Sequence, residues 1–298
     1  RMISAPSEDE ALKVLDECGY GSTAGGSVES RLAGARAALL DEVQAAVPEP
    51  RLVDVFRLKY DYHNAKALVK GEATGADVRR LLVSGGRYSC RQLLEGFQKD
   101  ALSGVSARFQ QAVAAARRIL AGTRDPQQCD ILLDKACYEE MARLAEDCAT
   151  PFLKGYVRLC ADTANLRTAV RVARMGKGSD FLLHVLLPGG SVAESALAAA
   201  RPEDLGSLFQ AGALEKAARL GARAAQPDGG PLLAFERECD NALTRYVAAA
   251  KRVPFGEEPV IAFLHAKDAE LTAVRTILSG RRAGLDEAMI WERLRECY

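Results

Sequence analysis

The sequence carries no surplus of either charge: 40 Lys and Arg stand against 40 Asp and Glu. A balanced chain gives no electrostatic reason to choose nucleic acid or an anionic membrane surface as its main partner. Aromatic residues are scarce, at 6% with a single tryptophan. No apolar run approaches the ~18 residues that a membrane-spanning helix needs. Closely paired cysteines are also missing: Cys18, Cys90, Cys129, Cys137, Cys148, Cys160, Cys239 and Cys297 are scattered without a CxxC. That is the pattern of reduced cytosolic thiols packed as small hydrophobes, not of a disulfide framework. His63, His184 and His265 show neither HxxxH nor HExxH spacing, so no metal site is expected. No GxSxG occurs and no cysteine sits in a nucleophile's sequence context, so no catalytic residue is assigned. Gly176-Lys177-Gly178-Ser179 looks like the tail of a phosphate loop, but Arg171 stands where the first glycine belongs and no strand precedes it. Direct nucleotide binding, and any other cofactor, is therefore not expected. Glu139-Glu140 and Glu257-Glu258 read as solvated helix faces. No secretory signal is visible, and a chain that opens on Arg1 reads as one whose natural start has been lost or renumbered.

What is present is a repeat. Within Phe56–Gly71, Asp61, Asn64 and Lys66 set a pattern of an acid, a residue three later and a base five later. It returns 101 residues on as Asp162, Asn165 and Arg167, and 108 further on as Glu270, Ala273 and Arg275. A period near one hundred residues is too long for a solenoid unit and suits a small domain. The motif is helical. Positions 58, 62, 65 and 69 share one stripe, occupied by Leu58, Tyr62, Ala65 and Val69, then by Leu159, Thr163, Leu166 and Val170. In the third copy Leu271, Val274 and Leu278 fill it, with Lys267 as the misfit. That stripe should face each core, while the acid and the Asn share another face. Gly71 and Gly280 read as helix C-caps.

The rest of the chain follows one grammar. A short helix with Ser7 as N-cap opens it, and a glycine-rich connector spans 19–26. Long helices at 28–47, 129–148 and 231–252 each precede a motif helix, at 51–70, 152–175 and 257–278. Short helices then flank Gly85-Gly86 and Pro188-Gly189-Gly190; the turn segments Leu81–Gly86 and Leu186–Gly190 match. The third copy lacks its short helix, which the segment 6–17 could supply by joining the chain's ends. No period-two alternation of β-branched residues appears. The expected fold is all-α, in three similar helical domains: 27–126, 127–226, and 227–298 completed by 1–26. The repeated polar residues admit two readings. They cap, bridge and orient helices in the same way three times, or they line a shared central cavity that grips an elongated partner.

The residues also resemble a family. Arg57–Gly71, Asp162–Arg171 with Leu187-Pro188-Gly189-Gly190, Phe263–Gly280, the opening Ser7–Leu15 and Gly19-Tyr20-Gly21 are together similar to the C subunit of archaeal and bacterial V/A-type rotary ATPases, a relative of the d subunit of eukaryotic vacuolar proton pumps. The resemblance covers essentially the whole chain. It implies a funnel of three helical domains with a central pocket. It also implies a non-catalytic subunit, peripheral on the cytoplasmic face of the membrane. There it would transmit torque between a central axle of the D and F subunits, received in the pocket, and the membrane proteolipid ring. On that reading the partner-binding wall is Asp61, Asn64, Lys66, Asp162, Asn165, Arg167, Glu270 and Arg275. Ala273 in place of Asn, and a start that reads as truncated, depart from the pattern. The rivals are a helical adaptor in a soluble complex, and an enzyme whose site assembles from distant residues.

Overall fold

In the computed structural model, which describes residues 1–20, 27–226 and 228–298, every regular element is helical and no strand occurs among the described residues. The all-α expectation holds. Most of the connector expected at 19–26 lies outside the described residues. The chain divides into two compact units. One comprises Arg1–Arg36, Asp162–His184 and Val192–Tyr298; the other comprises Ala37–Ala161 and Val185–Ser191.

The unit built on Ala37–Ala161 is organised by α3 (Arg51–Thr74), the first motif helix. It packs against α4 (Cys90–Gln98), α5 (Ala107–Thr123) and α6 (Pro126–Asp147). The predicted stripe is where expected: Leu58, Tyr62, Ala65 and Val69 are all buried, among Leu93, Phe109, Val113 and Leu133. Tyr62 meets the Phe109 ring edge-on at 5.4 Å, a favoured aromatic geometry. Local signals set the helix starts. The side chains of Ser89, Ser106 and Asp125 accept the amides of Gln92, Phe109 and Gln127 and so satisfy donors that a helix leaves open.

The other unit is built on α13 (Glu257–Arg282), the third motif helix, with α12 (Leu233–Val247) and α14 (Glu287–Arg293) against it. Leu271, Val274 and Leu278 face Ala11 and Leu15 of α1 (Glu8–Leu15), and Leu32 of α2 (Val28–Ala46). Arg281 donates to the carbonyls of Ile3 and Ala5, tying the N-terminal segment to the same helix. The second motif lies on α7 (Pro151–Arg174), whose stripe residues Leu159, Thr163, Leu166 and Val170 are buried as expected.

Two expectations need correction. Gly71 and Gly280 do not cap helices, because α3 continues to Thr74 and α13 to Arg282; the left-handed cap of α3 is Gly75. Each glycine instead admits a close neighbour. A Cβ on Gly71 would lie 2.5 Å from Val78 Cγ1, and one on Gly280 would lie 2.9 Å from Ile290 Cγ1. Residues 201–225, unassigned from sequence, contain α11 (Glu215–Ala224), whose buried face is Ala217, Ala218, Gly221 and Ala224.

Candidate functional site

Each motif acid grips a different stretch of chain. Asp61, with no exposed surface, accepts Arg87 Nε at 2.7 Å and the Tyr88 amide at 3.3 Å, just past Gly85-Gly86. Asp162 accepts the Val192 amide at 3.3 Å, two residues past Gly189-Gly190. Glu270, one methylene longer, accepts the hydroxyl of Tyr20 at 2.7 Å, next to Gly19 with its φ of 87°. The N-terminal segment thus meets the third motif where a glycine turn meets each of the other two.

The middle residue of the motif braces the same loop. Asn64, also without exposed surface, donates to the Val83 carbonyl at 2.9 Å and accepts the Val83 amide at 2.8 Å. That pair satisfies both backbone groups of Val83, which would be costly to leave unpaired in the interior. Asn165 is likewise buried. Ala273 offers no such bracket, and the Glu270–Tyr20 bond stands where the loop contact belongs.

The base follows a cyclic order. Lys66 pairs with Asp134 of α6, the helix that precedes the second motif, at 2.5 Å. Arg167 pairs with Asp240 of α12, the helix that precedes the third, and also donates to the Glu236 carbonyl at 3.0 Å. Arg275 pairs with Glu29 of α2, the helix that precedes the first, at 2.9 Å. Each motif base is therefore paired with an acid on the long helix that precedes a different motif in the sequence. Of the eight candidate residues, Asp61, Asn64, Asp162 and Asn165 are buried, whereas Lys66, Arg167, Glu270 and Arg275 keep part of their surface.

Sequence reading missed Glu140. It is buried, not solvated, and accepts Arg87 Nη1 at 2.8 Å, the Tyr62 hydroxyl at 2.8 Å and the Ser106 hydroxyl at 3.0 Å. Its place six residues after Asp134 on α6 is a signal only once the partner arginine is known. Burial pushes Asp61 up to about 6 against the pull of Arg87. Burial acts on Glu140 in the same direction, but donation from Arg87, Tyr62 and Ser106 outweighs it and holds the carboxyl below its usual range. Burial pushes the Cys137 and Cys239 thiols up to about 12, which leaves them inert packing groups.

Two concavities border the motif. One of about 390 Å³ is walled by Phe56, Tyr62, Tyr138 and Tyr156, with the Lys66–Asp134 pair at its side. The other, about 450 Å³, is formed by the 84–90 loop with Asp41, Asp54 and Arg57. Among the described residues, no three His, Cys, Asp or Glu side chains converge as a metal site requires, and no helix is long and apolar enough to cross a membrane.

Comparison with known proteins adds a family. The model of the ATP synthase (C/AC39) subunit matches residues 1–293. The C subunit of the V-type sodium ATPase of Enterococcus hirae is 24% identical, over 91% of this chain and 82% of the relative. The C subunit of the V-type ATP synthase of Thermus thermophilus is 28% identical, over 95% of this chain and 88% of its own length. The C subunit of the A-type ATP synthase of Haloferax volcanii is 28% identical over 79% of this chain and 71% of its own.

Proposed function

From the premise that this chain belongs to the ATP synthase (C/AC39) subunit family, we propose that it is a non-catalytic coupling subunit of a V/A-type rotary ATPase. It sits peripherally at the cytoplasmic face and carries torque between the D–F axle and the membrane proteolipid ring. It binds no nucleotide itself. The observation that carries this reading is the order of charged ties, Lys66 to Asp134, Arg167 to Asp240 and Arg275 to Glu29. A body that passes torque must keep its parts in register, and ties that run from each copy to another in order set that register where end-to-end contacts would not. The same order supports three helical domains set around a central pocket.

The eight motif residues then divide the work. Asp61, Asn64, Asp162 and Asn165 act through the loops and helices they hold in place. Lys66, Arg167, Glu270 and Arg275 keep surface for a partner. Lys66, Arg167 and Arg275 each end a partly exposed stripe: Lys59, His63 and Lys66; Cys160, Ala164 and Arg167; Asp268, Thr272 and Arg275. We assign these three stripes to the wall that receives the axle. Polar rims of this kind fix orientation, while buried apolar anchors carry affinity.

Co-sedimentation with vesicles carrying the purified proteolipid ring, with and without the D–F pair, tests the assignment. The chain is expected to bind ring vesicles and to carry D–F down with it. Absence from ring vesicles in both conditions would favour an adaptor of a soluble complex instead.

A further inference from the structure

Arg87 is shared by two buried carboxylates. Its Nε reaches Asp61 Oδ2 at 2.7 Å and its Nη1 reaches Glu140 Oε1 at 2.8 Å, while all three side chains are at least mostly buried. Two carboxylates on one guanidinium leave the cluster one negative charge in excess. The two acids sit differently: Glu140 takes three side-chain donors, whereas Asp61, with no exposed surface, takes one side-chain donor, Arg87, and the backbone amides of Arg87 and Tyr88. We propose that this cluster is a proton-sensitive latch on the 83–88 loop, in which Asp61 takes up a proton in mildly acidic solution and that uptake favours the loop's closed position.

The other groups around Asp61 leave the excess charge in place. On its own helix, Arg57 is committed to Asp41 and to the Gly85 and Gly86 carbonyls, Asp54 is another carboxyl raised by burial, and the Tyr62 phenol is held neutral. From α6 come Glu140 and the neutral Cys137, and from α4 comes Cys90, its thiol also raised by burial. On α5's side stands the Ser106 hydroxyl. The proton belongs on Oδ1, which faces the Tyr88 amide at a long 3.3 Å, and leaves Oδ2 to the Arg87 side chain. Oδ1 also abuts Gly86, so opening the loop exposes the carboxyl.

The direction follows from linkage. A carboxyl that titrates near 6 when the loop is closed, and in the ordinary aspartate range when it is open, makes the closed loop hold more protons between those values. Closure is therefore favoured as pH falls through that window, by about tenfold between pH 7 and 5. The second motif lacks the parts. Ser191 stands next to Val192 where Arg87 precedes Tyr88, and Tyr246 lies six residues past Asp240 where Glu140 lies six past Asp134. The latch is particular to the first copy.

Carbon-13 NMR of the full chain labelled at aspartate carboxyls tests this, with the Asp61 signal identified by its absence in Asp61→Asn. The expected midpoint is about 6, moving toward the ordinary range in Glu140→Gln, where Arg87 no longer serves a second charge. Hydrogen exchange at the Val83 amide, which Asn64 Oδ1 holds when the loop is closed and which the proton on Asp61 leaves bonded, should slow about tenfold from pH 7 to 5 once corrected for its intrinsic rate. A midpoint in the ordinary aspartate range, or Val83 protection that stays flat or falls over that interval, would overturn the latch. If Asp61→Asn does not fold, the Glu140→Gln shift and the exchange profile decide the matter without it.

Discussion

Gly86 is where the polar motif and the backbone meet most tightly. A Cβ there would lie 2.3 Å from Asp61 Oδ1, and Asp61 has no room to retreat because Arg87 and Tyr88 hold it. Gly86→Ala is expected to cost about 1–3 kcal/mol in urea unfolding, as overpacking of a filled interior does. Gly34, on an exposed turn of α2 with open space beyond it, is the control: Gly34→Ala should stabilise by about 0.5–1 kcal/mol. A loss at Gly34, or none at Gly86, would contradict the packing described. The residue scale is also where reading the sequence went furthest and fell shortest. The motif's acid, Asn and base stood out because they recur. Glu140 did not, because a buried acid looks like a solvated one until the arginine, tyrosine and serine that satisfy it are brought together from three separate stretches.

Elements show the same division. The apolar stripes of the motif helices were legible because Leu, Val and Tyr recur at the same helical positions beside each copy of the polar motif, not because any one of these helices is strongly two-faced. Helix α11 was missed although its two faces are distinct, Lys216, Arg219 and Arg223 against the inward Ala217, Ala218, Gly221 and Ala224, because an inward face of such small residues was not read as core. Those residues are small for a packing reason: a Cβ on Gly221 would lie 2.9 Å from both Phe235 and Val170. Gly280 has the same role under α14, where Ile290 fills the space a side chain would take. Gly71 and Gly280 were mistaken for caps because close approach and termination both select glycine. Ile290→Ala empties that contact and is expected to cost about 2–5 kcal/mol if α14 cannot collapse onto α13. A cost under about 0.5 kcal/mol by denaturation, the range of an inconsequential surface change, would show that α14 does not depend on the contact. The charged ties between helices are a different kind of contribution. Lys66–Asp134, Arg167–Asp240 and Arg275–Glu29 all keep a quarter or more of at least one side chain in solvent, so a double-mutant cycle on each should return roughly 0–1 kcal/mol. Their value lies in orientation rather than in stability. A coupling of several kcal/mol would mean that the pairs hold the fold itself.

At the scale of the whole molecule, the proposal is of three helical copies tied in order, with exposed stripes that serve a partner. The recurrence of the motif was legible because its spacing outlasts its identity: acid, third residue and base keep their places while Ala273 replaces Asn. The meeting of the chain's ends was expected from the short helix missing in the third copy, and α1 does pack on α13, but the pairs that join them, Tyr20 with Glu270 and Glu29 with Arg275, are too far apart in sequence to be named from it. The most direct test of the central claim is the affinity of the full chain for a purified D–F pair. It should be measured alongside two sets of variants. Lys66→Glu, Arg167→Glu and Arg275→Glu break the ties, while His63→Glu, Ala164→Glu and Thr272→Glu recharge the stripes and leave the ties intact. The account predicts tight binding by the parent chain and at least tenfold weaker binding by each triple variant at unchanged helical content. Failure of the parent chain to bind a matched D–F pair would contradict it.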